Sequence, residues 1–474
     1  MFFTDFVVKQ RHIHFVGIGG IGMSGIAEIL LNLGYTISGS DLKGTPITAR
    51  LASMGARVFE GHRAANTTGA DAVVVSSAIR EDNPEVRAAR AAQVPLIQRG
   101  ELLAELMRLK YGVAIGGSHG KTTTTSMTAA VLHHGGTDPT VIVGGRVDSM
   151  GSNARLGKSD LLLVEADESD GSFLKLAPIV AVITSIDHEH LDHYGSYEEL
   201  TSAFVAFANK VPFYGAAILA IDDPEVRKIL PRVQRKFRTY GVSPDADMIA
   251  GEIACDRRGS RFRVAYQGQD LGLFEVKGFG RHNVGNAMAA ILVGLEVDLP
   301  VEKIRAGLRS FNGVDRRFQE RGQQAGVTVI DDYGHHPTEI AATLAAAKTC
   351  GFGKIHVLFQ PHRYSRSHLL ADEFSRCFND CDHLYVLDIY SAGETPIKGV
   401  SGSALAKGIK AAGHPSVKYV ASMDAAVEKA VAAAEPGDVI ITLGAGSVSQ
   451  AGGKLLERLA ARQGLRQESL TTAS

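Results

Sequence analysis

Residues 12–31 read HIHFVGIGGIGMSGIAEILL, and this stretch places an apolar strand, a glycine-rich loop and a helix one after another. The apolar residues at 13–16 predict the strand, and the apolar spacing from about residue 23 to residue 33 predicts the helix. A glycine loop at such a junction is typical of pyrophosphate binding by backbone N–H groups at the start of a helix. The loop glycines are Gly17, Gly19, Gly20 and Gly22.

An acidic residue, Asp41, follows Gly22 by about 20 positions, which is the spacing at which dinucleotide-binding folds place a ribose-binding carboxylate. The loop recognises only a pyrophosphate, so the pattern does not distinguish NAD from a UDP-sugar. A tight turn packed against the sheet is the alternative interpretation.

Strands and helices alternate through the rest of the chain, which predicts parallel sheets covered by helices. At roughly 150 residues per domain, 474 residues correspond to about three domains. The alternation restarts near residue 107 and again after the Phe-Asn-Gly-Val stretch at 311–314. We therefore predict three α/β domains at 1–107, 108–314 and 315–474.

Composition excludes several classes of protein. The 50 basic and 51 acidic residues nearly cancel, which argues against a general nucleic-acid-binding protein. No apolar run approaches the ~18 residues of a membrane helix, and the first residues do not resemble a secretory signal. The four cysteines at 255, 350, 377 and 381 are too few for a disulfide scaffold. We expect reduced thiols and a cytoplasmic location.

A second glycine loop follows the predicted strand 112–115 and precedes a helical run. Such a loop presents backbone N–H groups to a phosphate, while Lys121 reaches the terminal phosphates and the Thr122 hydroxyl binds magnesium. Ile115 stands where the full phosphate-loop pattern has glycine, so the match is to a shorter form, and a helix-entry loop with a solvated lysine is the alternative. The residues concerned are Gly117, Ser118, His119, Gly120, Lys121, Thr122 and Thr123.

Acidic and histidine clusters follow the next two predicted strands of this block. Glu165, Asp167, Glu168 and Asp170 come directly after strand 161–164, where a magnesium-binding carboxylate is expected. The next cluster contains three histidines in a spacing that does not match a zinc site, and we expect one of them to help hold magnesium. A solvated acidic turn and structural histidines are the alternatives. The three histidines are His188, His190 and His193.

Charged and aromatic side chains also follow two predicted strands of the third block, and Asp315-Arg316-Arg317-Phe318 precedes the first of them. Tyr333 and His335 follow strand 327–330, while Arg363 and Arg366 follow strand 355–359. Arginines at strand ends present paired donors that suit a carboxylate or a phosphate.

Taken together, these segments resemble the Mur ligase family. The matching stretches run in the family's order from residue 12 to residue 397, and they are specific as a set although not singly. They read HIHFVGIGGIGMSGIAEILL, GGSHGKTTTTSM, EADESDGSF, IDHEHLDHY, GVDRRFQ, DDYGHHPTE, FQPHRYSR and DIYSAGETPI. The resemblance implies a Rossmann-like UDP-sugar domain, a central P-loop ATPase domain with a mostly parallel sheet, and a Rossmann-like amino-acid domain.

The resemblance also implies a reaction with ATP and Mg²⁺. ATP phosphorylates the lactyl carboxylate of UDP-N-acetylmuramate, and the amine of L-alanine attacks the acyl phosphate to form an amide. This is the first amino-acid addition in peptidoglycan precursor synthesis. The expected partners are these small molecules, without nucleic acid or membrane, for a monomer or weak homodimer.

Site residues carry over from the family position by position. Lys121, Glu165, His190, His335 and Arg363 are implied to be catalytic, with Thr122, Glu165 and His190 holding magnesium. The implied ATP contacts are residues 117–123 together with His282, Asn283, Asn286 and Arg316. The implied UDP-sugar contacts are Gly17, Gly19, Gly20, Gly22, Asp41 and Ser76, and the implied amino-acid contacts are Tyr333, His335, Arg363 and Arg366.

The chain departs from the family pattern at four positions: Ser118 replaces a threonine, Ser185 an asparagine, Glu189 an aspartate and Gly285 a leucine. None removes an implied metal ligand. Several relatives carry a carbamylated lysine in the helix after the histidines, but residues 197–208 contain no lysine, so we predict no carbamylation.

Three other functions stay open. A muramyl-peptide recycling ligase belongs to the same family, although the third block favours the alanine-adding type. An NAD(P)-dependent oxidoreductase would explain only the first glycine loop, and a non-catalytic nucleotide-binding module would leave Lys121, Glu165 and His190 incidental.

Overall fold

The computed structural model describes residues 11–76, 78–147 and 152–471. They form two compact units with their own internal contacts. Of the residues that the structure describes, those within 1–252, 262–276 and 285–312 belong to the first unit. Those within 253–261, 277–284 and 313–474 belong to the second unit.

The first unit begins with a five-stranded parallel sheet in the order β3-β2-β1-β4-β5. Helices cover both faces, as a parallel sheet requires, and the central strands are accordingly apolar and buried. The elements are β1 (His12–Val16), α1 (Ile21–Asn32), β2 (Thr36–Asp41), α2 (Pro46–Ser53), β3 (Arg57–Glu60), β4 (Ala72–Val75), α3 (Pro84–Ala91), β5 (Leu96–Gln98) and α4 (Arg99–Arg108).

A ten-stranded sheet follows, in the order β15-β14-β13-β12-β11-β10-β6-β9-β7-β8. The strands from β12 to β7 in that order are parallel, and β8 is antiparallel to β7. Its strands are β6 (Tyr111–Gly116), β7 (Thr140–Val147), β8 (Ser152–Arg155), β9 (Leu161–Glu165), β10 (Val180–Ile183), β11 (Ala216–Ala220), β12 (Phe237–Gly241), β13 (Met248–Asp256), β14 (Gly259–Tyr266) and β15 (Gln269–Val276).

The helices of this region pack on the central strands, with Phe173, Phe204 and Phe207 forming a fully buried aromatic cluster. The carboxyl ends of β6, β9 and β10 lie side by side, so the loops that follow them meet at one edge of the sheet. The helices are α5 (Lys121–His134), α6 (Leu191–Tyr194), α7 (Tyr197–Ala208), α8 (Pro224–Ile229), α9 (Arg281–Glu296) and α10 (Val301–Ser310).

The second unit contains a six-stranded sheet in the order β16-β17-β21-β18-β19-β20, parallel except for the edge strand β16. Its elements are β16 (Gln319–Gln324), β17 (Val327–Asp332), α11 (Pro337–Thr349), β18 (Ile355–Phe359), α12 (Tyr364–Leu369), α13 (Ala371–Arg376), β19 (His383–Val386), α14 (Gly402–Ala411), β20 (Val417–Tyr419), α15 (Met423–Ala433), β21 (Val439–Leu443) and α16 (Ala451–Thr471).

The predicted α/β class with mostly parallel sheets is confirmed. The predicted bounds of the three domains stay predictions. No helix among the described residues is long and apolar enough to cross a membrane. The cysteines are free thiols.

A buried polar network ties the N-terminal sheet to its neighbouring helices. The Glu85 carboxylate, fully buried in α3, accepts hydrogen bonds from Ser40 Oγ at 2.6 Å and Asn66 Nδ2 at 2.6 Å, and lies 3.2 Å from His62 Nδ1. Burial opposes the charge of Glu85, but hydrogen bonds from His14, Ser40 and Asn66 outweigh it and lower the pKa to about 2.

We predict that Glu85→Gln lowers the free energy of unfolding by about 1–3 kcal/mol at pH 7, because the amide cannot satisfy this donor set. The ionised carboxylate stabilises the fold above its unfolded pKa near 4.5, and that contribution is lost as pH falls towards the folded pKa of about 2. The deficit of the variant should therefore shrink between these pH values. Urea unfolding followed by circular dichroism measures it, since the chain has no tryptophan.

The matched control is Glu81→Gln, whose exposed carboxylate pairs with Arg90 at 3.1 Å; this variant should unfold at the same urea concentration as the unmutated protein. Equal stability of Glu85→Gln and the unmutated protein at pH 7 would contradict the prediction.

Candidate active site

The first glycine loop joins β1 to α1 and is fastened to the end of β2. Gly17 has φ +79°, a conformation that favours glycine, and its N–H donates to Ser40 O at 2.8 Å. Asp41 Oδ2 accepts the N–H of Gly19 at 2.9 Å, and a Cβ on Gly19 would stand 2.8 Å from that oxygen. Asp41 thus caps the loop. The loop also contains Gly20 and Gly22, and Ser76 follows β4, the other neighbour of β1.

The second glycine loop joins β6 to α5 and requires glycine at both ends. Gly117 has φ +132°, and a Cβ there would stand 2.1 Å from Thr184 Oγ1. Gly120 has φ +78° immediately before α5, and a Cβ there would stand 2.6 Å from Asn286 Oδ1. Thr124 Oγ1 donates to the same amide oxygen at 3.0 Å. The structure therefore brings Asn286 against the loop.

Two positions that depart from the family pattern meet at this loop. Ser118 Oγ accepts the N–H of Asp187 at 2.8 Å, while Ser185 Oγ accepts the N–H of His119 at 2.9 Å. The backbone N–H of Ser118 also donates to Ser185 O at 2.9 Å. His119 Nε2 lies 2.8 Å from Asp187 Oδ2. The shorter side chains thus supply the hydrogen bonds that hold residues 117–120 against the segment after β10.

Lys121, the first residue of α5, places its ammonium group among carboxylates. Its Nζ donates to Glu168 Oε1 at 2.9 Å and to the carbonyl oxygens of Gly117 at 2.7 Å and Ser118 at 3.1 Å. Burial opposes the charge of Lys121, but Glu168, Asp167 and Glu165 outweigh it and raise its pKa. The side chain therefore stays cationic.

Glu168 belongs to the acidic cluster after β9, but the sequence did not predict it as a site residue. Its side chain is 1% exposed, and burial raises the pKa of its carboxyl group. Glu168 Oε2 is buried and has no hydrogen-bond partner among the described residues. A buried carboxylate oxygen without a donor is the kind of atom that a bound cation or ligand completes.

Two sets of oxygen and nitrogen ligands lie near this lysine. Thr122 Oγ1 donates to Glu165 Oε1 at 3.0 Å, so the hydroxyl and carboxylate predicted to hold magnesium are adjacent. Ligand atoms of Glu168, Glu189 and His190 all lie within 4.8 Å of one another. Hydroxyl and carboxylate oxygens with one imidazole suit magnesium held beside phosphate, so the residues present fit the metal.

Three further residues were predicted as ATP contacts, His282, Asn283 and Thr123. His282 and Asn283 belong to the second unit, where Asn283 Nδ2 donates to Phe279 O at 2.9 Å. Burial, together with the charge of Arg317, lowers the pKa of His282 to about 4. Thr123 lies in the first turn of α5 with a buried side chain.

Arg316, before β16, is bound by its own unit. Its guanidinium donates to Asp331 Oδ2 at 3.1 Å and to the carbonyl oxygens of Gly444 at 2.5 Å and Ala445 at 3.4 Å. It also stacks over the ring of Tyr333 at 5.0 Å. Arg316 therefore fastens the loop after β21 to the end of β17.

The residues predicted for the amino acid come together after β17 and β18. The rings of Tyr333 and His335 are in edge contact, and His335 contacts His362, with centroids 5.2 and 5.8 Å apart. Arg366 Nη1 lies 3.4 Å from His362 Nδ1. Arg363 has φ +71° and its guanidinium lies 3.9 Å from a carboxylate of Glu394.

His362 belongs to the FQPHRYSR segment after β18, but the sequence did not predict it as a site residue. Its ring stacks on that of Tyr390 at 5.5 Å. Burial, with the charges of Arg366 and Arg363, lowers its pKa to about 4, so the imidazole is neutral near pH 7. The sequence signal was present, since His362 immediately precedes the predicted Arg363.

Family models match three consecutive parts of the chain. The Mur ligase catalytic domain matches residues 12–111, the Mur ligase middle domain matches residues 115–294, and the Mur ligase glutamate ligase domain matches residues 316–446.

Full-length relatives agree with these matches. The UDP-N-acetylmuramate–L-alanine ligase of Solibacter usitatus is 61% identical over 452 residues, which cover 95% of this chain and 96% of the relative. That of Koribacter versatilis is 58% identical over 461 residues, which cover 96% and 98%.

Solved structures show the same fold. The UDP-N-acetylmuramate-alanine ligase of Thermotoga maritima has a TM-score of 0.79 at 29% identity, covering 95% of this chain and 99% of that one. A murein peptide ligase from Psychrobacter arcticus, 24% identical, has a TM-score of 0.67 over the same shares. With nearly the whole length matched by models, relatives and structures, the chain belongs to the Mur ligase family.

Proposed function

We propose that this protein is an ATP-dependent ligase that joins L-alanine to the lactyl carboxylate of UDP-N-acetylmuramate, releasing ADP and phosphate. The observation that carries the proposal is the Lys121 ammonium, which lies in a glycine loop beside the carboxylate of Glu168. Relatives that are 52–61% identical over nearly the full length have this activity by name. The reaction belongs to peptidoglycan precursor synthesis, and we propose a cytoplasmic monomer or weak homodimer.

Lys121 acts on the transferring phosphoryl group. Its ammonium neutralises negative charge on the γ-phosphate, and the N-terminal end of α5 favours the negative charge of the phosphate chain through the helix dipole. The lactyl carboxylate attacks the γ-phosphorus, the bond to ADP breaks, and an acyl phosphate forms. The lysine stays cationic because nearby carboxylates raise its pKa, so no proton transfer precedes the step.

Thr122 and Glu165 are the residues proposed to hold one magnesium ion, and His190, with Glu168 and Glu189 beside it, a second. Bound magnesium would supply charge neutralisation for the phosphate oxygens. Glu165 and His190 thereby contribute to catalysis by holding the positive charge of magnesium beside the phosphate oxygens.

Tyr333, His335, Arg363 and Arg366 are proposed to bind L-alanine and the acyl phosphate. Each arginine offers paired donors for a carboxylate or phosphate oxygen. The neutral His362 orients Arg366 through the contact at 3.4 Å and adds no positive charge of its own. The alanine amine attacks the acyl carbon, and phosphate leaves.

The other proposed contacts follow the sequence prediction. Asp41 and Ser76, with the glycines at 17, 19, 20 and 22, hold the UDP moiety. His282, Asn283, Asn286 and Arg316 are proposed for the adenine, ribose and phosphates of ATP, together with residues 117–123.

We predict that phosphate release from ATP requires both UDP-N-acetylmuramate and L-alanine, and that Lys121→Met lowers kcat by about 10³-fold or more. The reason is that methionine keeps the length of the side chain but removes the charge. A coupled phosphate assay measures both effects. Lys210→Met, at an exposed lysine of the same unit, is the matched control and should keep the rate.

Two results would contradict this proposal. Turnover stimulated by a muramyl tripeptide but not by alanine would favour the recycling ligase. A change in nicotinamide absorbance with substrate would favour an oxidoreductase.

We also predict that Glu165→Gln raises the Mg²⁺ concentration for half-maximal activity by about 10-fold, because the amide is a weaker ligand for a hard cation. A magnesium titration at saturating ATP measures this. Glu198→Gln, an exposed carboxylate in the first turn of α7, is the control. An unchanged titration for Glu165→Gln would exclude Glu165 as a ligand.

A further inference from the structure

Arg99, the first residue of α4, lies between the first glycine loop and the acidic segment after β9. A Cβ built on Gly22 would stand 2.6 Å from Arg99 Nη1 and 3.1 Å from its Cδ, so the Arg99 side chain packs directly against the loop at Gly22. On its other side, Arg99 Nη2 lies 3.7 Å from Asp167 Oδ2. One guanidinium therefore touches both the loop proposed for the UDP pyrophosphate and the segment beside Lys121.

The guanidinium of Arg99 is sheltered but largely unused. Its side chain is 23% exposed, and it donates no hydrogen bond to the described residues. Its ion pair with Asp167, at 3.7 Å, is longer than a charge-assisted hydrogen bond. With respect to the described residues, the N–H groups of Arg99 are therefore available to an anion at the glycine loop.

The first turn of α4 is held firmly against the acidic segment. A Cβ on Gly100 would stand 2.8 Å from Ser172 Cβ, and Glu101 Oε1 pairs with Lys175 Nζ at 2.7 Å. Ser172 Oγ in turn donates to Asp167 O at 3.3 Å. These contacts fix the position of Arg99 relative to Asp167.

Asp167 connects Arg99 to the phosphate-binding lysine. Burial opposes its charge, but Lys121, the hydrogen bonds with Ser169 and the charge of Arg99 together lower the pKa of the Asp167 carboxyl group. The Asp167 carboxylate therefore interacts electrostatically with both cations, Lys121 and Arg99.

Building on the proposed function, we propose that Arg99 binds the pyrophosphate of the UDP-sugar and that Asp167 competes with the pyrophosphate for this guanidinium. When the nucleotide sugar binds, Arg99 donates to its phosphate oxygens, and the carboxylate of Asp167 is left to Lys121. Occupation of the first glycine loop is thereby linked electrostatically to the second. Arg99 is a substrate-binding residue, and Asp167 positions it.

The test is isothermal titration of the full-length protein with UDP-N-acetylmuramate, and separately with UDP, in the absence of ATP. Arg99→Met should raise the dissociation constant for both ligands by about 10- to 100-fold, the loss expected for a charge-assisted contact. Arg99→Lys keeps the charge without the paired donors and should fall between. Arg108→Met, in the last turn of α4, is the matched control and should bind as the unmutated protein does.

Asp167→Asn provides the second arm. As a single substitution it should lower the dissociation constant for UDP-N-acetylmuramate by about 2- to 5-fold. When Arg99→Met is also present, Asp167→Asn should change the dissociation constant by less than about 1.5-fold. If Asp167 instead repelled the pyrophosphate directly, Asp167→Asn would lower the dissociation constant as much or more in the Arg99→Met background. That result would overturn the proposal that Asp167 competes for Arg99.

Other outcomes also decide the matter. Unchanged affinity in Arg99→Met would overturn the proposal, and loss of affinity for UDP-N-acetylmuramate but not for UDP would place the guanidinium on the lactyl carboxylate instead. Equal loss in Arg99→Lys and Arg99→Met, with a lower melting temperature, would indicate a packing role. Absence of alanine-dependent phosphate release in the unmutated protein would refute the proposed ligase activity independently of these titrations.

Discussion

The buried ion pair between Lys121 and Glu168 is the interaction on which the central site depends. Removing one member would leave an uncompensated charge in a region where burial already raises the pKa of the carboxyl group. The same ammonium also binds two carbonyl oxygens of the glycine loop, so it closes the loop around itself. An incoming phosphate has only to replace these acceptors, because the cation is already charged and held by its carboxylate partner.

Much of this arrangement follows from local sequence. Continuous apolar runs predicted strands such as β6, β9 and β10, and parallel pairing then brings their carboxyl ends to one edge, where Lys121 and Glu165 lie. Prediction failed where a strand lacks such a run. The edge strand Gln319–Gln324 is polar and mostly exposed, so it contains no apolar run from which a strand could be predicted.

The spacing of residues in the sequence did not predict which side chains form hydrogen bonds between different loops. Ser118 and Ser185 are far apart in the chain. In the sequence each is only a departure from the threonine or asparagine of the family pattern. In the structure both hydroxyls accept backbone N–H groups across the same two loops, Ser118 from Asp187 and Ser185 from His119. Glu168 was missed for a related reason: its burial and its contact with Lys121 depend on the turn after β9, which no periodicity encodes.

The arginines show why residue type alone does not assign a role. The guanidinium of Arg316 is engaged by Asp331 and by backbone carbonyls, so it would have to surrender protein hydrogen bonds before it could bind a phosphate directly. Among the residues that the structure describes, Arg99 donates no hydrogen bond, and its ion-pair partner is the Asp167 carboxylate at 3.7 Å. The free energy of binding an anion includes the cost of the contacts that are broken. A phosphate contact of Arg316 therefore costs hydrogen bonds that hold the loop after β21, whereas a phosphate contact of Arg99 costs only the ion pair with Asp167. The sequence shows two arginines, and only the fold shows this difference in what each must release.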